Sequence, residues 1–210
     1  MTAPLHAEAA SATATPRLHA FVERIEQLLD HEHEPHAITE GVRTQLATLV
    51  SDAGFLTSEQ REPDLEHYRV HLLTVAPSRR FSVTALVWLP GQVTPIHDHI
   101  CWCVVGVVQG TEREQRYSLR EGAGGECWLT PLGDEAVPPG HTAALVPPDE
   151  NIHRVRNAGE TLAISIHVYG DDLTLHPTSI NQCFDDLPVR AGDLAGVAVP
   201  WRRVSPSTTG

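Results

Sequence analysis

GQVTPIHDHICWCVVGVVQG, residues 91–110, sets two histidines one residue apart at the mouth of an apolar, β-branched run that closes on Gly110. In an extended chain successive side chains leave opposite faces, so His97 and His99 share one face and Asp98 takes the other. Two imidazoles placed in this way can converge on one ion. Cys103 has the same parity as the histidines and belongs to their face.

The same short β-rich texture extends in both directions: HYRVHLLTV (67–75), FSVTALVWL (81–89), CWCVVGVVQGTE (101–112), EQRYSL (114–119), ECWLTPL (126–132), TAALVPP (142–148), IHRVRN (152–157) and TLAISIHVYG (161–170). Turn signals such as LPGQ, REGAGG, PPDEN and NAGE separate the runs roughly every ten residues, the pattern of an all-β sandwich or small barrel. Ahead of them Leu18, Phe21, Ile25, Leu28 and Leu29, then Val42, Leu46, Leu49 and Val50, recur at helical intervals, with Pro16 suited to a first turn and Gly54 to a stop. The expected plan is a helical lead-in over 16–60, a barrel over 65–170 and an irregular wrap over 171–210, all in one domain. Residues 1–15, rich in Ala, Thr and Ser without periodic apolar spacing, read as a disordered tail.

Composition narrows the function. The chain carries 15 Lys and Arg against 27 Asp and Glu, a formal net charge of -12, which disfavours any nonspecific hold on nucleic acid or an anionic membrane surface. No apolar run reaches the ~20 residues that span a bilayer. Four cysteines are too few for a secreted disulfide scaffold, and MTAPLHAEAASATATPR lacks a basic segment followed by an apolar one, so a reducing cytoplasm is expected. The expected partners are small molecules, in a monomer or small homo-oligomer.

A metal with open coordination positions needs a third ligand, and His153, on IHRVRN after the turn PPDEN, is the best candidate. An antiparallel barrel can bring that strand opposite the first. Three neutral histidines leave about three positions of an octahedral ion open.

In GQVTPIHDHICWCVVGVVQG and PPDENIHRVRN the chain resembles the cupin superfamily, which implies a double-stranded β-helix, a small jelly-roll barrel. Two departures stand out: the usual cupin glutamate ligand falls at Cys103 and the usual glycine of the second motif at Glu150. The absent glutamate favours a three-histidine site. Within cupins, RFSVTALVWLPGQVTPIHDH (80–99), xxWxVVGVxxGxE (100–112), HxVxN (153–157) and SIHVYG (165–170) resemble the thiol dioxygenases, the cysteine dioxygenase and 3-mercaptopropionate dioxygenase family.

That resemblance implies Fe(II) at His97, His99 and His153, a small thiol and O2 as substrates, and a sulfinate as product. Ser165, His167 and Tyr169 alternate and so point to one face of a strand. The resemblance makes them a relay in which Ser165 bonds His167, His167 bonds Tyr169 and the phenol reaches the substrate. It also sets Cys103 where typical cysteine dioxygenases form a thioether with the active-site tyrosine, which raises a Cys103–Tyr169 cross-link. Without a partner CxxC, Cys101 and Cys103 otherwise read as small buried hydrophobes rather than a zinc half-site or redox pair.

Carboxylate-bearing thiols in this family are usually fixed by an arginine, and neither familiar position has one. Tyr68 matches a tyrosine that precedes it by two residues, but the arginine position is Val70; the other version falls at Thr178. Arg69 should face the opposite way on an ideal strand. His71 and Gln182 are candidate polar walls, and Arg79, Arg80, Arg190, Arg202 and Arg203 are available elsewhere. A thiol without a carboxylate, or a larger one, becomes credible. A cupin using the same metal for another oxidation or isomerisation, and a nonenzymatic ligand-sensing cupin, are the competing readings.

Overall fold

Thr15 opens the first helix by accepting a hydrogen bond from the Leu18 amide, with Pro16 in the first turn of α1 (Pro16–His31). Glu34 accepts in the same way from Ala37 at the start of α2 (Pro35–Val50). The computed structural model describes residues 5–6, 15–148, 151–176, 178–192 and 197–198. α2 stops at Val50 rather than at Gly54. Asp52 instead captures the Gly54 amide and starts a 3-10 turn over Ala53–Phe55.

The strands are β1 (Leu5–His6), β2 (Arg69–Val75), β3 (Ser82–Trp88), β4 (His97–His99), β5 (Cys103–Gln109), β6 (Glu112–Glu121), β7 (Cys127–Val137), β8 (Thr142–Leu145), β9 (Ile152–Asn157), β10 (Ala163–Tyr169), β11 (Ile180–Cys183) and β12 (Val197–Ala198). They form two sheets, β1-β2-β3-β10-β5-β8 and β11-β4-β9-β6-β12, with β7 also paired to β6. Every pairing of these strands is antiparallel except β1 with β2. The architecture is the expected cupin barrel led by two helices.

β3 and β10 are buried on both faces, and alternation assigns each face a task. Val83, Ala85, Val87, Ile164, Ile166 and Val168 join Phe21, Ile25, Val42 and Leu46 of the helices in one apolar core. The intervening Leu86, Trp88, His167 and Tyr169 line the barrel interior. On β5, Val104 and Val108 pack toward the helices, while Cys103 and Val105 pack with Leu145, Tyr169 and Leu173.

Two glycines of the opening stretch set this packing. A Cβ at Gly106 would stand 2.9 Å from Leu46 Cγ and 3.1 Å from Val50 Cγ1, so the bare backbone lets α2 lie against the sheet. Gly110 has φ +71°, and a Cβ there would come within 2.7 Å of the Leu162 carbonyl oxygen. The exit from β5 thus needs glycine for its dihedral and for its close approach.

Three expectations change. The proposed tail contains Leu5–His6, which pairs with Val70 and His71; the rest of residues 1–14 lies outside the described residues, as do Glu150, Arg202 and Arg203. The wrap after residue 170 is not wholly irregular, because β11 adds to β4 and β12 to β6. β7 continues past ECWLTPL to Val137 through the mostly exposed LGDEA, held by its pairing with β6 rather than by apolar alternation.

Gly106→Leu should lower stability by about 1–3 kcal/mol through overpacking against Leu46 and Val50. Chemical denaturation would register this as a lower midpoint with an unchanged slope.

Candidate active site

β4 pairs with β9 so that His97 and His153 are direct cross-strand partners. The ligand atoms of His97, His99 and His153 all lie within 4.8 Å of one another. Ring centroids are 4.7 Å apart for His97 and His153, 4.8 Å for His97 and His99, and 5.0 Å for His99 and His153. The three predicted ligands therefore meet, although the whole of β5 to β8 lies between His99 and His153 in the chain.

Each ring is held from behind at Nδ1. His97 Nδ1 donates to the Pro95 carbonyl at 2.9 Å, and His153 Nδ1 to the Glu114 carboxylate at 2.8 Å. His99 Nδ1 lies 3.3 Å from Asn151 Oδ1, and Asn151 Nδ2 returns a bond to the His99 carbonyl at 3.2 Å, which fixes the amide's orientation. A ring that donates from Nδ1 keeps its Nε2 lone pair for a metal. His153 Nε2 is buried without a hydrogen-bond partner among the described residues. Burial, reinforced by the neighbouring histidines, pushes His97 down to about 3 and His99 well below the ordinary range. Three imidazoles whose ligand atoms converge fit a divalent first-row metal ion.

Glu114 is the member of this arrangement that sequence reasoning missed. Burial would raise its pKa, but the His153 hydrogen bond and charge, with Arg116 at 3.1 Å, hold it below the ordinary carboxylate range. Among the described residues no glutamate joins the ligand set, yet this one orients a ligand from outside. Its signal was the pair Glu112 and Glu114, spaced two apart on one strand and sharing a face. Asp98 does face away: it is fully buried and accepts from Asn181 Nδ2 at 3.1 Å and the Gln182 amide at 2.7 Å.

On β10, Ser165 Oγ lies 3.0 Å from His167 Nε2, and the Tyr169 hydroxyl lies 3.2 Å from His167 Nδ1. The Trp88 indole donates to Ser165 Oγ at 3.3 Å. Burial, then the field of His153, pushes His167 down to about 3, so its ring is neutral. Tyr169 stands beside the metal centre, its ring centroid 5.8 Å from that of His99. Cys103 is its direct partner across β5 and β10, with Sγ 3.9 Å from His167 Nδ1. Burial raises both the Cys103 thiol and the Tyr169 phenol well above their usual ranges.

The histidines and Tyr169 open onto a cavity of about 50 Å³. Tyr68 and Val70 line it, and Tyr68 stacks on Trp88 with centroids 4.5 Å apart. Thr94, Thr178 and Ser179 also line it. Arg69 and His71 alternate out of it, Arg69 toward Glu62 at 3.9 Å and His71 Nε2 toward the Glu62 carbonyl at 3.3 Å. Gln182 is likewise not a wall residue. Arg79 pairs with Asp172, Arg80 with Glu26 and Asp30, and Arg190 lies over Trp128. Among the described residues no arginine or lysine lines the cavity.

A jelly-roll barrel carrying three converging histidines defines a metal-binding cupin. The chain belongs to the cysteine dioxygenase type I family, whose model matches residues 10–178. Among solved structures it is similar to the TT1209 protein of Thermus thermophilus, at 19% identity over 55% of this chain and 96% of that one, with a TM-score of 0.39. It is also similar to an oxalate oxidase in complex with the substrate analogue glycolate, at 18% identity over 61% and 65% with a TM-score of 0.41. A double-stranded β-helix protein from Klebsiella pneumoniae matches at 16% identity over 58% and 92%, with a TM-score of 0.41.

His153→Ala should abolish metal retention. Glu114→Gln should keep the fold and weaken metal affinity by about 10–100-fold, the usual effect of removing a partner behind a ligating histidine. Competition with a chromophoric chelator measures both.

Proposed function

We propose that the protein is a non-haem iron thiol dioxygenase that adds both atoms of O2 to the sulfur of a small thiol, giving a sulfinate. The observation that carries this reading is that the three-histidine centre shares one cavity with His167 and Tyr169, the inner members of the Ser165–His167–Tyr169 relay, in a chain of the cysteine dioxygenase type I family. Iron at the three Nε2 atoms supplies, when bound, thiol deprotonation and the electron transfer that activates dioxygen. His97, His99 and His153 would hold it, and the cavity they line would receive the substrate. Tyr169 brings a hydroxyl to the reacting atoms without being a ligand, and His167 fixes its direction.

The walls support a narrower substrate class. An unpaired carboxylate moved from water to an apolar wall costs several kcal/mol, and Val70, Leu86, Trp88 and Val155 offer it nothing. We infer a thiol whose other end is uncharged, seated among these side chains with the hydroxyls of Thr94, Thr178 and Ser179 for a hydroxyl or amide group. Four free cysteines suit a reducing cytoplasm. Among the described residues no helix is long and apolar enough to cross a membrane.

Oxygen uptake and sulfinate formation by iron-loaded protein should therefore favour 3-mercaptopropan-1-ol over 3-mercaptopropionate, cysteine and cysteamine in kcat/KM. A preference for the acids would sink the substrate class alone. Uptake with no thiol, by protein shown to hold one iron, would sink the dioxygenase reading and favour a sensing role. Tyr169→Phe should retain iron and slow turnover by about 10²-fold or more, the scale of a lost proton donor.

The facing positions of Cys103 and Tyr169 also support a thioether from Sγ to the phenol ring, formed with loss of two hydrogens to dioxygen. After aerobic turnover, mass spectrometry should find one linked peptide pair lighter by those hydrogens. Full alkylation of Cys103 beside an unmodified Tyr169 would rule the link out.

A further inference from the structure

Glu112, on β6, is 2% exposed, lies beside Ser165 and Trp88 at the far end of the relay, and leaves its Oε1 without a partner among the described residues. A buried carboxyl in such a place has to be explained by what it touches. The hydroxyl of Ser165 already accepts from Trp88, so its proton and remaining lone pair are shared between Glu112 and His167. His167 is neutral and carries one ring N–H.

Two hydrogen-bond arrangements run through the whole of this chain, opposite in direction; at its near end Cys103 Sγ also lies 3.9 Å from His167 Nδ1 and Ser179 bonds the Tyr169 hydroxyl. With a proton on Glu112, the acid donates to Ser165 Oγ, Ser165 donates to His167 Nε2, and His167 Nδ1–H donates to the Tyr169 oxygen. The phenol proton is then free to point into the cavity. With Glu112 ionised, every bond reverses: Ser165 donates to the carboxylate, His167 Nε2–H donates to Ser165, and Tyr169 donates to His167 Nδ1. The phenol proton is then turned away. The two arrangements differ by one proton, released to solvent.

We propose that Glu112 is a positioning residue whose protonated carboxyl sets the direction of the Ser165–His167–Tyr169 relay, so that Tyr169 presents its hydroxyl proton to the substrate. Burial keeps the acid form populated by pushing Glu112 up to about 7, with hydrogen bonds from Ser165 and Trp88 opposing and the charge of Glu114 adding to the rise. Glu114 is the charged neighbour on its own strand. β10 contributes Ser165 and neutral His167, β3 contributes Trp88, β5 contributes the Cys103 thiol, held protonated by burial, and the cross-strand partners Asn157 of β9 and Val137 of β7 carry no charge. Its catalytic consequence rests on the dioxygenase reading; its protonation does not.

The test compares iron-loaded parent, Glu112→Gln and Glu112→Leu at saturating thiol across the pH range. A glutamine amide donates to Ser165 at every pH and locks the productive direction. The ratio of kcat for Glu112→Gln to that of the parent should rise about ten-fold between about pH 6 and pH 8, as the parent's carboxyl ionises. Glu112→Leu, of similar size and without a donor, should be slow throughout. A ratio independent of pH, or a leucine variant matching glutamine at every pH, overturns the proposal.

A second arm uses metal-free protein and needs no turnover. Because the folded value exceeds the unfolded 4.5, the folded state holds a proton that the unfolded state has lost, and parent stability falls as pH rises through the interval from 4.5 to about 7. The Tm advantage of Glu112→Gln over the parent should therefore grow from about pH 5 to about pH 8. A constant difference overturns the proposal even if the enzyme is active. A parent that oxidises no thiol refutes the dioxygenase reading instead, and with it the relay's catalytic consequence.

Discussion

The register that sets His97 opposite His153 across β4 and β9 is the constraint on which the site depends. A one-residue slip would turn His153 to the other face of its strand and leave two ligands instead of three. Several devices hold it. Asp98 takes two donors from β11 and fastens the short β4 on its other edge. Asn151 ties the approach to β9 to the His99 carbonyl. Thr94 Oγ1 accepts from the Val155 amide, binding the entry of β4 to β9 beyond the histidines. A strand only three residues long is thereby fixed on both sides.

The same alternation that makes the centre legible also divides the barrel's work. β10 gives Ile164, Ile166 and Val168 to the helices and Ser165, His167 and Tyr169 to the interior. Residues that lower burial energy and residues that do chemistry are interleaved one for one. The apolar face anchors a strand whose other face is costly to bury, and each inward polar group has to find a partner on its neighbours. Trp88 answers for Ser165, Ser165 for His167 and His167 for Tyr169.

The ligands and the relay were legible because each is a period-two pattern within a few residues. The helices were legible because their apolar positions recur at helical spacing. Glu114 was not, since nothing local to EREQRYSL says that its strand will lie beside β9, and its role exists only through that pairing. β11 was missed for a related reason: Ile180, Asn181, Gln182 and Cys183 have no apolar alternation, and their extended form is imposed by Asp98 and β4. Arg69 and His71 share a strand parity and both lie outside the cavity lining, whereas Tyr68 and Val70 lie within it; Gln182 is placed by the pairing of its strand with β4, which nothing local to INQC announces.

Charge balance in the cavity ties fold to chemistry. Neutral imidazoles at His97, His99 and His167, and walls without lysine or arginine among the described residues, would leave a bound divalent ion as the dominant local charge. On the dioxygenase reading proposed above, a substrate thiolate would offset half of it. The Glu114 carboxylate sits behind His153 rather than in the cavity, where it strengthens a ligand without filling a coordination position. A glutamate in the ligand set would place a second negative group at the ion beside the thiolate and weaken its pull on sulfur. With the Glu114 carboxylate on β6, outside the ligand set, the small side chain of Cys103 lies against Tyr169.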